Sequence, residues 1–254
     1  MTDTAPTAAL LIIGNEILSG RTQDANLAFI ARHLGVLGIR FRETRVVPDE
    51  EAEIVAAINA LRARYTYVFT TGGIGPTHDD ITAECIAKAF GVPLIRHPEA
   101  VRRLEIHYAG TGMLNEARLR MANTPEGATL IDNPVSTAPG FQIGNVFVMA
   151  GVPMIMQAML TGIGDRLVGG PVVRTKSVAS AIPEGSFADA LCAIAADYPA
   201  VDIGSYPAFR QGRISTSLVL RATDPDLLER ATVAVAEMLR ALGGEPVVLD
   251  GYGE

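Results

Sequence analysis

The sequence has no tryptophan, two cysteines and only 14 other aromatic residues (8 Phe, 6 Tyr) among 254. No apolar run reaches membrane length. AALLII at 8–13 is six residues, against the ~20 a membrane-spanning helix needs. The cysteines, Cys85 and Cys192, lie far apart, which excludes a disulfide framework. No Cys/His spacing suits zinc. Both read as small core or near-core residues of a reduced, cytoplasmic protein. Basic excess is also missing: the net charge is −7, with 14 basic against 17 acidic residues up to Gly170 and 7 against 11 after it. Neither part invites bulk nucleic-acid or anionic-membrane binding. MTDTAPTAA carries Asp3 and no basic residue, so it is not expected to be a signal peptide. The GxSxG and HExxH motifs are absent too.

With 48% hydrophobic and 19% charged residues the chain is neither disordered nor membranous. Its length allows one large domain or two small ones. The order of patterns is informative. AALLII (8–13) reads as a strand buried on both faces. Leu27, Ile30, Leu34 and Leu37 share one helix face. Ile39–Val47 alternates as a strand. A helix follows Pro48, with Asp49 as its expected N-cap and Ile54, Ile58 and Leu61 inward. YVFTT (67–71) is a third strand, and Thr82–Phe90 a helix stopped by Gly91. This β-α-β-α-β-α order predicts a parallel sheet with helices on both faces, and such sheets bind ligands beyond their strands' carboxyl ends.

Further on, 98–121 reads as one charged helix carrying Arg102, Arg103, Arg118 and Arg120, a solvated face in preference to an anion contact. GATLIDN (127–133) reads as a strand, and 139–151 as a hairpin turning at Gly144-Asn145. The helix after Pro153 is Met-rich, and Met149, Met154, Met156 and Met159 read as core filling. LVGGP (167–171) marks a boundary. Beyond it, strand (172–182), helix (186–196), strand (201–206), strand (213–221) and helix (225–242) predict a small α+β domain. The expected domains are therefore 1–168 and 171–254.

Two loops fall at the predicted carboxyl edge. In the first, Gly72, Gly73 and Gly75 follow a buried strand and precede a helix, so backbone N–H groups can approach a phosphate. The loop runs Thr71, Gly72, Gly73, Ile74, Gly75, Pro76, Thr77, His78, Asp79, Asp80. It is neither a Rossmann fingerprint nor a P-loop, since His78 stands at the third glycine and no GK[ST] follows. Asp79 and Asp80 alter its meaning. A carboxylate ~5 Å from a phosphate charge is repelled by ~3 kcal/mol at an effective dielectric of 20, and a helix dipole returns only ~0.3–1 kcal/mol. The pair therefore suggests a bridging divalent cation, with helix capping by one Asp as the plainer alternative. In the second loop, Glu16 is placed to orient a ligand hydroxyl or base, and Ser19 and Gly20 to donate to phosphate. Gly14, Asn15 and Asn26 belong to the same stretch, where an ordinary turn with Asp24 as N-cap is the bland reading. Asp49 ends the second strand. As a cap it is structural; converging with Asp79 and Asp80 it would be a metal ligand or general base.

GNEILSGRTQDAN, VVPDE, TTGGIGPTHDDIT, NTPEGATLIDNPVSTAPGF and VFVMAGVP occur in order. Together they resemble the molybdopterin-binding-like domain of the CinA family (competence/damage-inducible protein A), over about residues 8–168. The same domain type occurs in eukaryotic FAD synthase and in molybdopterin adenylyltransferases. Residues 172–245, with Ile203-Gly204-Ser205-Tyr206-Pro207, resemble the small domain that follows in CinA-like proteins. The deamidase domain of longer CinA proteins is not present before Glu254, so nicotinamide mononucleotide deamidation is not expected. Two positions depart from the family pattern, both in loops that the family uses to shape the site: Ser136 where it usually has Gly, and Ala150 where it usually has Pro.

The resemblance implies a three-layer α/β fold with a mostly parallel sheet, followed by the small α+β (KH-like) domain, and a homo-oligomer. It implies a small-molecule ligand, a nucleotide or pterin phosphate, held by Gly14, Asn15, Glu16, Ser19, Gly20, Asn26, Thr71, Gly72, Gly73, Gly75, Pro76, Thr77, Pro139 and Gly140. Asp49, Asp79 and Asp80 are the expected catalytic residues, with Asp49 and Asp80 holding Mg²⁺, or else Mn²⁺ or Co²⁺. The leading expectation is hydrolysis of the pyrophosphate in an ADP-ribose- or FAD-like compound. The alternatives are molybdopterin binding or adenylylation, and a non-catalytic ligand-binding module. RNA binding by the tail is disfavoured by its charge and its lack of a basic GxxG clamp.

Overall fold

The computed structural model describes residues 5–210 and 213–251. Asp3 and Glu254, which entered the sequence reading, lie outside them. The chain divides into two units, the first running to Gly170 and the second starting at Pro171.

In the first unit the chain forms β1 (Thr7–Ile13), α1 (Asn15–Leu18), α2 (Asn26–Val36), β2 (Arg40–Val47), α3 (Glu51–Arg64), β3 (Tyr67–Thr71) and α4 (Thr82–Phe90). It continues through β4 (Leu94–Arg96), α5 (Pro98–His107), α6 (Glu116–Leu119), β5 (Asn123–Pro125), β6 (Thr129–Ile131), β7 (Gly140–Ile143), β8 (Val146–Met149) and α7 (Pro153–Gly162). Six strands form one sheet in the order β2-β1-β3-β8-β7-β6. The first four are parallel, and the hairpin β7–β8 adds β7 and β6 antiparallel. Gly144 turns that hairpin with φ +53°, a backbone glycine adopts without strain.

β1 shows why its sequence has no polar alternation. Ala9, Leu11 and Ile13 pack into one core with Ile54, Ile58, Leu61 and Ile86. Ala8, Leu10 and Ile12 pack into the other with Ile30, Leu34, Met156 and Leu160. Each fully buried large side chain contributes about 1.5–3 kcal/mol. Helices therefore cover both faces, giving the three layers.

Several expectations need correction. The helix expected over 98–121 breaks after His107. Gly110 and Gly112 take φ of +74° and +65°, which a continuing helix does not allow, and Asn115 caps α6 by accepting the Arg118 N–H at 3.0 Å. Asp49 does not cap α3: that helix has Glu50 at its N-cap and no side-chain cap. α4 likewise starts at Thr82 without a cap from Asp79 or Asp80. Asp24 does accept the Leu27 N–H at 2.8 Å. Met149, Met156 and Met159 are core residues, but Met154 is exposed. The two-stranded sheet β4–β5 was not anticipated, because three-residue strands leave no periodicity to read.

The second unit contains β9 (Arg174–Ser180), α8 (Ala188–Asp197), β10 (Asp202–Arg210), β11 (Arg213–Ala222), α9 (Pro225–Ala241) and β12 (Val247–Asp250). Its sheet is antiparallel, in the order β10-β11-β9-β12. Val178, Leu218 and Leu220 pack on Leu228, Val235 and Leu239 of α9. The strand β12 extends the β-α-β-β-α order expected. Cys192, on α8, is exposed and not a core residue; Cys85 is buried. No helix among the described residues is long and apolar enough to cross a membrane.

Candidate functional site

All four parallel strands deliver loops to one cleft of about 370 Å³. Gly14 and Glu16 follow β1, Asp49 follows β2, the segment Gly72–Asp80 follows β3, and Ala150–Val152 follow β8. This is the carboxyl edge where parallel α/β sheets place ligands.

The glycine loop is held from both ends. Gly72 adopts φ +103°, and a Cβ there would lie 2.1 Å from the Ile13 carbonyl oxygen. Gly73 adopts φ +67°, with the Thr82 hydroxyl in the space a Cβ would take. Thr82 donates its hydroxyl to the Gly72 carbonyl at 3.0 Å and its N–H to the Gly73 carbonyl at 3.0 Å. Thr82 is fully buried, so this clamp is shielded from water. The N–H groups of Gly73, Ile74 and Gly75 have no hydrogen-bond partner among the described residues.

The acidic residues are fixed individually. Asp80 Oδ2 accepts the Thr77 N–H at 2.8 Å and also the Thr77 hydroxyl. Gly75 makes room for it, since a Cβ there would lie 2.6 Å from Oδ2. The Thr77 hydroxyl, helped by a backbone N–H, also holds the Asp79 carboxyl below the usual carboxylate range. That hydroxyl has one proton, and the hydrogen-bond geometry assigns it to Asp80. Asp49 Oδ2 accepts the Asn15 N–H at 2.9 Å. Glu16 folds its carboxylate over Gly14, where a Cβ would lie 2.5 Å from Oε2. Among the described residues no group of three or more His, Cys, Asp or Glu stands close enough to hold a metal by itself. The cleft wall includes no Lys, Arg or His.

The expected ligand-binding residues separate into groups. Gly14, Glu16, Asp49, Gly72, Gly73, Gly75, Thr77, Asp79 and Asp80 line the cleft. Asn26 and Thr71 line a smaller adjoining cavity. Asn15 acts through its backbone. Ser19, Gly20 and Pro76 line neither cavity, and the Ser19 hydroxyl donates to the Glu16 carbonyl at 3.2 Å. Pro139 and Gly140 are buried, because β7 starts at Gly140 against the Val148 carbonyl, 2.3 Å from where a Cβ would sit. His78 stands outside the cleft wall. Arg102 and Arg103 pair with Glu99, and Arg103 also with Asp132. The Arg118 guanidinium lies 5.1 Å from the centroid of the Tyr108 ring.

A further wall is formed by Asn133, Ser136 and Ala138, of which only Ser136 was placed near the site from the sequence. Asn133 is buried and uses its whole amide. Nδ2 donates to the Ser136 hydroxyl at 2.7 Å and to the Ala138 carbonyl at 2.8 Å. Oδ1 accepts the N–H groups of Val135 and Ser136. This network holds Thr137 at φ +68°, a strained position for a β-branched residue. Ser136 had a signal in the sequence as a departure from the family pattern, whereas Asn133 had only the turn-forming pair Asn133-Pro134.

Residues 9–168 match a family profile described as "Probable molybdopterin binding domain", and 172–244 match one described as "FAD synthase, middle domain". A "CinA-like protein" of Citrifermentans bemidjiense is 43% identical over 158 residues, covering 60% of this chain and 38% of the relative. A "Probable FAD synthase" of Caenorhabditis elegans is 30% identical over 260 residues, covering 92% of this chain and 50% of the relative. This chain thus spans half or less of those two proteins. The crystal structure of the protein CinA, of unknown function, from Thermoplasma acidophilum matches with a TM-score of 0.60 at 37% identity. The match covers 64% of this chain and 98% of that one.

Proposed function

The chain belongs to the molybdopterin-binding domain family, and from that membership and its cleft chemistry we propose a metal-dependent pyrophosphohydrolase. Its substrate would be a nucleoside diphosphate derivative such as ADP-ribose or FAD. One observation carries the proposal: Glu16, Asp49, Asp79 and Asp80 share the cleft wall with the glycine loop, and no basic side chain does. A diphosphate there meets ~3 kcal/mol of repulsion from each carboxylate at ~5 Å. Unpaired loop N–H groups alone do not offset that.

The donor set fits a divalent cation. Carboxylate oxygens suit Mg²⁺, which uses one or two carboxylates together with substrate phosphate oxygens and water. It therefore needs no preformed cage of three residues. Asp49 and Asp80 would hold it, since each commits Oδ2 to its loop and keeps Oδ1. Mn²⁺ and Co²⁺ suit the same oxygens. When bound, the cation would polarise a phosphoryl oxygen and acidify a water.

The chain's own residues supply the rest. The N–H groups of Gly73, Ile74 and Gly75 orient the diphosphate. Asp79, whose carboxyl lies below the usual carboxylate range, is better suited to a cation than to accepting a proton, because lowering a carboxyl's pKa weakens it as a base. Water adds its oxygen to one phosphorus, the bridging P–O bond breaks, the water's protons pass to the product phosphates or to solvent, and the products are AMP and the other half as its own monophosphate.

The test is incubation with ADP-ribose, FAD and NAD in the presence of Mg²⁺, Mn²⁺ or Co²⁺, with an active homologue as control. AMP release supports the reading, and no AMP under any metal overturns it. The family description favours a second reading, a pterin phosphate in the same cleft, which copurified pterin fluorescence would reveal. In a non-catalytic module, Asp80→Asn would bind nucleotide as tightly as a wild type that shows no turnover.

A further inference from the structure

Beside the main cleft lies a smaller cavity of about 60 Å³, which shares Ile13, Glu16, Gly72 and Gly151 with it. Its wall includes two deeply buried polar side chains, Asn26 at 4% and Thr71 at 1% exposure. Asn26 Nδ2 donates to the Gly151 carbonyl at 2.8 Å, which fixes the amide orientation. Asn26 Oδ1 and the Thr71 hydroxyl then have no partner. Buried polar groups in native folds are almost always paired with protein, water or a ligand, and these two atoms have no partner within the chain.

The chemistry of that partner is constrained. Asn26 Oδ1 and the Glu16 carboxylate only accept hydrogen bonds, whereas the Thr71 hydroxyl can do either. The missing partner must therefore donate. A phosphate does not, and it would also face Glu16 and Asp24 across the same cavity. The cavity, about 60 Å³, has room for small polar groups.

We propose that this cavity is the subsite for a vicinal diol, the 2′,3′-hydroxyls of a ribose whose phosphates occupy the main cleft. Asn26 Oδ1 and Glu16 accept from the diol, and Thr71 completes the set. The inference rests on the nucleotide reading above and adds a selection for ribose over deoxyribose.

Calorimetric titration of the full chain with ADP and with 2′,3′-dideoxy-ADP, both with Mg²⁺, tests it. ADP is expected to bind about tenfold more tightly. Thr71→Val should narrow that ratio, and Thr71→Ser should restore it. The ratio is insensitive to a merely structural loss, which would weaken both ligands alike. Equal affinities in the wild type, or a ratio that Thr71→Val leaves unchanged, overturn the subsite while leaving nucleotide binding intact. Binding of neither ligand overturns the nucleotide reading and the subsite together.

Discussion

The carboxylate of Asp49 accepts the backbone N–H of Asn15 at 2.9 Å, joining the ends of two neighbouring parallel strands at the mouth of the cleft. One oxygen thus has a structural duty while the other stays available. Asn in its place retains an acceptor oxygen but no charge. Asp49→Asn is expected to melt close to the wild type, within about 0.5 kcal/mol. Its release of AMP should fall about 10²–10³-fold, the loss of several kcal/mol of charge stabilisation. Asp49→Ala should lose a further ~0.5–1.5 kcal/mol of stability with the hydrogen bond. Thermal melts and an AMP assay on the same preparations separate the two effects. Activity retained in Asp49→Asn would remove Asp49 as a cation ligand.

Gly72 and Gly75 sit in one loop but answer to different neighbours. Gly72 has φ +103° and faces the Ile13 carbonyl, both parts of the backbone, so an added methyl cannot be accommodated by rotating a side chain. Gly72→Ala is expected to destabilise by more than about 1–3 kcal/mol. At Gly75 the obstacle is the Asp80 carboxylate, which can swing away. Gly75→Ala should therefore fold nearly as well as the wild type yet lose turnover. Urea denaturation of both variants checks this, and the opposite order of stabilities would contradict it.

The Tyr65 hydroxyl donates to Glu43 Oε2 at 2.5 Å. Tyr65, then Arg45, lowers the Glu43 carboxyl from 4.5, and Glu43 raises the Tyr65 phenol from 10.0. A lowered carboxyl contributes stability that is complete above 4.5 and is lost as pH falls through the lowered value. A raised phenol contributes stability that is complete below 10.0 and is lost as pH rises through the raised value. Tyr65→Phe should cost up to about 1 kcal/mol near neutrality, limited by water at this partly open pair. It should abolish the alkaline loss and shrink the acid one, while Arg45 preserves part of the latter. Urea midpoints across pH for both proteins measure this; superimposable profiles would exclude the coupling.

The distribution of chemistry between local pattern and distant contact explains what the sequence made readable. The apolar run of β1 predicted burial on both faces, and Ala9, Leu11 and Ile13 do enter a different core from Ala8, Leu10 and Ile12. A parallel sheet then places the loops after its strands together, so Glu16, Asp49 and Asp80 were legible as neighbours. The part of Asn133 in the wall was not, because its hydrogen bonds stabilise a loop whose place in the cleft depends on the antiparallel hairpin beyond it. Asp49 was misread as a cap because its real partner, Asn15, lies 34 positions away, where local spacing carries no signal. Gly110 and Gly112 were lost inside a charged helical pattern, although their positive φ values end it.

The two cysteines should report on folding separately. Cys85 is 1% exposed, and its thiol is pushed up to about 12, first by burial and then by Glu51 and Glu84. The thiolate is the reactive form, so Cys85 is blocked both by access and by protonation. Cys192 is exposed on α8. Native protein treated with iodoacetamide near neutral pH should therefore gain a single adduct, at Cys192. A second adduct should appear only when denaturant opens the core around α4, at the rate of that opening. Mass spectrometry of digests resolves the two sites. Alkylation of Cys85 at the rate of Cys192 in the folded protein would mean that α4 does not hold it against Ile54 and Ile58 as packed here.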